Sequence, residues 1–149
     1  MNELNERAVK AAKRYLEMKG MDVIDEAWSK DGLAGKIDLV AYDGGEIVFT
    51  DVTVSTVEDG GFRESPLSRE QAELLAASWL GEHPDEADVA VRFDHLALMV
   101  CAESRAILRH HVNCFGYTGG CLLDLPVPPR AGGSAERPGP RAGRASRRG

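Results

Sequence analysis

Residues 36–54 read Lys36-Ile37-Asp38-Leu39-Val40-Ala41-Tyr42-Asp43-Gly44-Gly45-Glu46-Ile47-Val48-Phe49-Thr50-Asp51-Val52-Thr53-Val54. Two runs dense in β-branched and other apolar side chains, 36–42 and 46–54, flank Asp43-Gly44-Gly45. That composition predicts two strands joined by a tight turn. Gly-Gly tolerates the positive φ angles of a two-residue hairpin loop. With Gly44-Gly45 as the loop, Asp43 pairs with Glu46, and counting back sets Asp38 directly opposite Asp51. Their Cβ atoms would then lie about 4.5–5.5 Å apart, where like charges destabilise a hairpin unless a cation or a proton sits between them. A three-residue loop pairs Asp38 with Thr50 instead and separates the acids.

Upstream, apolar side chains at Leu4, Ala8, Ala11, Ala12, Tyr15 and Leu16 recur at helical spacing and predict a helix over 3–19. Gly20 supplies the left-handed position that stops it. Residues 21–28 suit a strand and 29–35 a loop. Downstream, 55–66 read as a flexible loop. Ser68 followed by Gln71 has the spacing of a capping box. It opens a helix over 68–80 with an apolar stripe of Ala72, Leu75, Ala76, Trp79 and Leu80, stopped by His83-Pro84. Residues 88–101 contain a strand beginning near Val89, and Glu103-Ser104-Arg105 turns the chain into a last short strand at 106–112. The order α-β-β-β-α-β-β, with hairpins and helices interleaved, predicts an α/β fold around one mixed sheet.

The 149 residues, 43% hydrophobic and 28% charged, fit one globular domain. No apolar run reaches the roughly 18 residues of a membrane span, and the start of the chain is too polar for a secretory signal. A soluble, cytoplasmic protein without a membrane role is expected. The cysteines, Cys101, Cys114 and Cys121, form no CxxC pair, so neither a disulfide framework nor a structural zinc site is indicated. Cys101, inside an apolar run, reads as a small buried hydrophobe. His110 and His111 cannot share one side of a strand, so one faces solvent, and neither is assigned a role.

The net charge of −6 is unevenly spread, with six Arg and one Glu in residues 126–149 and a balance of −11 in 1–125. The same stretch holds five of the seven prolines. These features divide the chain into a folded domain over 1–120 and a disordered, basic Pro/Gly/Arg-rich tail over 121–149. Such a tail grips nucleic acid or an acidic partner, or is simply solvated. A body at −11 repels a polyanion unless its charge is reversed at the contact surface.

The chemistry-bearing constellation is the pair Asp38 and Asp51. Hard cations such as Mg²⁺ or Mn²⁺ are held by one or two carboxylates plus waters and phosphate oxygens, which suits metal-assisted phosphodiester hydrolysis. The plainer alternative is a hairpin with two acids on its solvent face.

The stretch Gly35 to Val40, a short turn, then Ile47 to Thr53 resembles the YraN family, also known as UPF0102, whose pattern reads roughly G-E-I-D-L-I, turn, L-V-F-V-E-V-K. Further matches follow in order: Tyr15-Leu16-Glu17 with Gly20, Trp28, Ala77 to Leu80, Arg92-Phe93-Asp94, and His111-Val112-Asn113-Cys114-Phe115. The resemblance covers about residues 4–116. It implies a restriction-endonuclease-like mixed sheet flanked by helices, related to Holliday junction resolvases, and a Mg²⁺- or Mn²⁺-dependent endonuclease acting on nucleic acid, DNA in particular. Carried onto this chain, Asp38 and Asp51 hold the metal, the Val52 carbonyl completes the ligand set, and Thr53 takes the third catalytic position.

The departures fall on those positions. The family's Glu is the shorter Asp51, and its Lys is Thr53, which carries no charge. The acid expected in the first helix falls on Val9, with Glu6 upstream. The acid beside the first Asp is Lys36, and the basic residue expected early in the second helix is Glu70, next to Arg69. The resemblance therefore implies an eroded site. The alternative from another class is a noncatalytic interaction module that keeps the fold and binds a protein partner or a second copy of itself as a homodimer.

Overall fold

The computed structural model describes residues 3–85 and 89–115. Helix α1 spans Glu3–Met18, followed by strands β1 Asp22–Trp28, β2 Ile37–Asp43 and β3 Glu46–Thr56. A single 3₁₀ turn, Val57–Asp59, leads toward helix α2 Arg69–Gly81, and β4 Ala90–Ala102 and β5 Arg105–His111 complete the fold. The five strands form one mixed sheet in the order β1-β2-β3-β4-β5. The pair β3/β4 is parallel and the other neighbours are antiparallel. Parallel neighbours need a crossover, and α2 supplies it. The element order α-β-β-β-α-β-β and the α/β class agree with the expectation from the sequence.

The hairpin takes the two-residue loop. Asp43 pairs with Glu46 and Leu39 with Thr50, while Gly44 adopts φ +64°, a region open to glycine. α1 ends as its sequence requires: Gly20 N–H donates to Glu17 O at 3.0 Å and Met21 N–H to Leu16 O at 3.0 Å. These are the two bonds of a Schellman stop.

Each helix buries one stripe. α1 sets Ala12 and Leu16 against Leu39, Ala41 and Leu96 on one face of the sheet. α2 sets Ala72, Leu75, Ala76 and Trp79 against Val40, Ile47, Phe49 and Phe93 on the other. The α2 stripe matches the 3.6-residue period of the sequence, although Leu80 is only half-buried. Trp79 Nε1 donates to Asp25 Oδ2 at 2.8 Å, so the indole meets its polar need inside the core. At the start of α2, Ser68 Oγ accepts from Gln71 N–H at 3.1 Å, and the Gln71 side chain accepts in return from Ser68 N–H at 2.9 Å. Ser68→Ala removes one half of this box. It is expected to cost about 1 kcal/mol, read from the urea midpoint.

Some expectations need correction. Residues 55–56 continue β3 and 57–59 form the 3₁₀ turn, so the stretch read as a flexible loop is in part regular. Cys101 is exposed, not buried. It lies near the end of β4, just before the turn to β5, where the strand's burial gives way to exposure at Cys101 and Ala102. His111 is exposed and His110 is not, which fits the alternation of β5. The domain limit at 120, the basic tail and Cys121 lie outside the described residues.

Candidate functional site

A hairpin of this register sets two acids near one another because the strand pleat repeats every two residues. The ladder closes with Leu39 opposite Thr50, and the next positions on each strand are Asp38 and Asp51. Both are buried, Asp38 at 4% and Asp51 at 9% exposure. They line a cleft of about 450 Å³ together with Lys36, Val52, Thr53, Arg63 and residues from the starts of both helices. A second hollow of about 270 Å³, between α1 and the β4–β5 turn, contains a single acid, Glu103.

The carboxylates are held from several sides. Val52 N–H donates to Asp38 Oδ2 at 2.7 Å, and the Lys36 ammonium donates to Asp38 Oδ1. Ser65 Oγ donates to Asp51 Oδ2. Burial and then the hydrogen bond with Asp38 push the Asp51 carboxyl up to about 7, against the opposing pull of Ser65 and Lys36. Asp51 thus holds its proton up to near neutrality, as one of two acids in a poorly solvated site does.

Thr53 lies at the back of the cleft. Its hydroxyl donates to Arg63 O at 2.9 Å and also meets His95 Nε2 at 2.9 Å. One hydroxyl has one hydrogen, so the His95 ring supplies the second bond from Nε2–H. Burial, and then the charge of Arg109, hold His95 below the usual imidazole range. This arrangement ties the 60–67 loop to the sheet and leaves Thr53 no free hydrogen to offer a substrate.

A family model described as "Uncharacterised protein family UPF0102" matches residues 9–98, more than half of the chain and all of the hairpin. The chain belongs to the UPF0102 family. A UPF0102 protein of Frankia casuarinae is 40% identical over 88 residues, covering 57% of this chain and 72% of that one. Another, from Beutenbergia cavernae, is 36% identical over 104 residues, covering 68% of this chain and 86% of that one. A third, from Streptomyces griseus, is 32% identical over 104 residues, with 66% and 84% covered.

Within this UPF0102 chain, the departures noted in the sequence can be placed. Val9, at the position of the missing helical acid, does line the cleft, and Asn5 lies one turn before it. Glu6 is exposed and is not among the lining residues. From α2 it is Gln71 that reaches the cleft, whereas Glu70 is exposed and Arg69 pairs with Glu73 at 3.1 Å. Sequence reasoning missed Arg63 and Ser65, which sit on an irregular loop with no period to reveal them.

It also missed a second cluster, on the α1 side of the sheet. Asp94, with a fully buried side chain, takes a bidentate pair from Arg92 at 2.9 and 3.0 Å. It also accepts from His110 Nε2 at 2.7 Å and from Asn113 N–H at 2.9 Å. His110 Nδ1 meets the Tyr15 hydroxyl at 3.0 Å, tying α1 to β5. Burial raises the Asp94 carboxyl, but the donors from His110, Arg92 and Asn113 together outweigh it and hold it below the usual range. The Arg92-Phe93-Asp94 and His111-to-Phe115 matches therefore flank one buried polar knot.

Proposed function

We propose that this chain is a divalent-metal-dependent nucleic-acid hydrolase of restriction-endonuclease type, acting on DNA at the Asp38–Asp51 cleft. The observation that carries the reading is the buried pair itself. Two buried carboxylates lining one cleft, one of them held protonated up to near neutrality, form a site whose repulsion a divalent cation relieves.

The donor set fits Mg²⁺ or Mn²⁺. Among the described residues no group of three or more His, Cys, Asp or Glu side chains converges, but these ions need only one or two carboxylates, with water and phosphate oxygens filling the rest. Asp38 and Asp51 would hold the ion, with the Val52 carbonyl as a third donor. Bound there, it would supply charge neutralisation for the phosphate and a more acidic water. The protein's own part is positional. Val52 N–H and Ser65 fix the two carboxylates, and the Thr53–His95–Arg63 contacts fix the loop that carries Ser65. Arg63 adds a positive group to the cleft wall, and Arg109 stands 4.6 Å over the Phe62 ring on the same loop. With Lys36, Arg63 gives the cleft wall two positive side chains for a phosphate to meet. No helix among the described residues is long and apolar enough to cross a membrane.

The test is incubation with Mn²⁺ and end-labelled duplex, single-stranded and four-way-junction DNA, with RNA alongside. Metal-dependent cleavage that Asp38→Asn lowers by at least about 10²-fold supports the reading. No cleavage of any substrate at high enzyme would replace it with the noncatalytic interaction module.

A further inference from the structure

We propose that Lys36 supplies the positive charge that the chain lacks at Thr53, placing a lysine at the carboxylate pair from the start of β2 instead of from β3. This rests on the hydrolytic reading above and names the residue that completes it.

Three observations carry it. Thr53 is spoken for: its hydroxyl is bonded on one side to the Arg63 carbonyl and on the other to the buried His95 ring. The side chain is 7% exposed. It cannot do by hydroxyl what a cation would do. Lys36, two residues before Asp38, places its ammonium directly on the Asp38 carboxylate. The exposures differ in the required sense, with the Lys36 side chain 42% exposed and that of Asp38 5%. The ammonium therefore meets a buried acid from a side chain that is itself partly open to solvent, and both residues line the cleft.

Hydrolysis of a phosphodiester joins a water oxygen to phosphorus and breaks one ester P–O bond. The water gives up a proton to solvent in the open cleft, and the departing oxygen takes one back. Negative charge grows on the non-bridging oxygens during the exchange, and a fixed ammonium beside them lowers the barrier. The flexible stem of Lys36 allows the head group to reach a phosphate without leaving the neighbourhood of Asp38.

The test compares the full chain with Lys36→Met, Lys36→Arg and Lys19→Met, an exposed lysine on no part of the cleft. Three quantities are read: Mn²⁺ affinity by calorimetry, affinity for a short DNA duplex in Ca²⁺ by fluorescence anisotropy, and cleavage rate in Mn²⁺. Lys36→Met is expected to bind Mn²⁺ at least as tightly as the parent. It should bind DNA at least tenfold more weakly than Lys19→Met does, and cleave about 10²–10³-fold more slowly. Lys36→Arg should recover part of both losses.

If Lys36→Met loses Mn²⁺ binding, the lysine merely holds Asp38 in place and the proposal is overturned. If it binds and cleaves DNA like Lys19→Met, the proposal falls while the hydrolytic reading stands. If the parent itself binds neither Mn²⁺ nor DNA, the hydrolytic reading fails and takes the proposal with it. A parent that binds both without cleaving still decides the matter through the anisotropy comparison.

Discussion

Asp51→Asn is expected to make the metal-free protein more stable at pH 8 and to flatten its stability between about pH 4 and pH 7. An unfolded Asp51 ionises near 3.8, whereas in the fold it holds its proton up to about 7. Over that interval the folded state binds the additional proton, so stability falls as pH rises and is lowest above the folded value. A gap of this size is worth on the order of 4 kcal/mol. The cause is structural: the ionised Asp51 faces Asp38 across a poorly solvated strand pair. An Asn amide keeps the acceptor for Ser65 and offers an N–H to Asp38, so it replaces the proton on Asp51 at every pH. At about 2–4 °C per kcal/mol for a chain of this size, the variant should melt on the order of 10 °C above the parent at pH 8, with little difference near pH 4. A variant that melts below the parent at pH 8 would show that the two acids do not strain the fold.

Asp94→Ala is expected to have the largest effect in the opposite direction. The carboxylate has no exposed side-chain surface and receives Arg92, His110 and the Asn113 N–H. Removing it leaves three donors without their acceptor. Arg92 keeps Glu46 at 2.7 Å and Asp43 at 3.0 Å, and His110 keeps Tyr15 at Nδ1, but His110 Nε2 and the Asn113 N–H lose the acceptor they met in Asp94. Breaking a buried pair from one side costs about 3–5 kcal/mol. The midpoint of urea denaturation at pH 7 measures it, and a loss under about 1 kcal/mol would mean the knot is not structural. Because this carboxyl is held below its usual range, its contribution is present at neutral pH and is lost as pH falls through that depressed value. Its slope with pH is opposite in sign to that of Asp51, which is why the Asn variant and its parent must be compared at each pH.

The hairpin was legible because two independent local signals agreed: Gly44-Gly45 fixed the loop length, and the loop length fixed the register that brings Asp38 and Asp51 together. The stripe of α2 and its capping box were legible for the same reason, since each depends on residues within four positions of one another. The rest of the site was not local. Ser65 and Arg63 come from a stretch with no period, and the bonds from Thr53 to His95 span 42 positions along the chain. Asp94 reads as one more polar residue in β4 until the sheet order sets His110 and Asn113 beside it. Cys101 shows the limit of an apolar run as a sign of burial: the run reaches the end of β4, where Cys101 and Ala102 are both exposed. Lys36 was legible only as a lost acid; that it reaches Asp38 follows from the course of the chain into β2.

The most direct measurement is a calorimetric titration with Mn²⁺ at pH 8 and low salt, on the parent and on Asp51→Asn. The two acids brought together at the open end of the hairpin should give saturable binding with one ion per chain, and the Asn variant should show none while remaining folded. No binding by the parent, or equal binding by both proteins, would contradict a metal centre at Asp38 and Asp51.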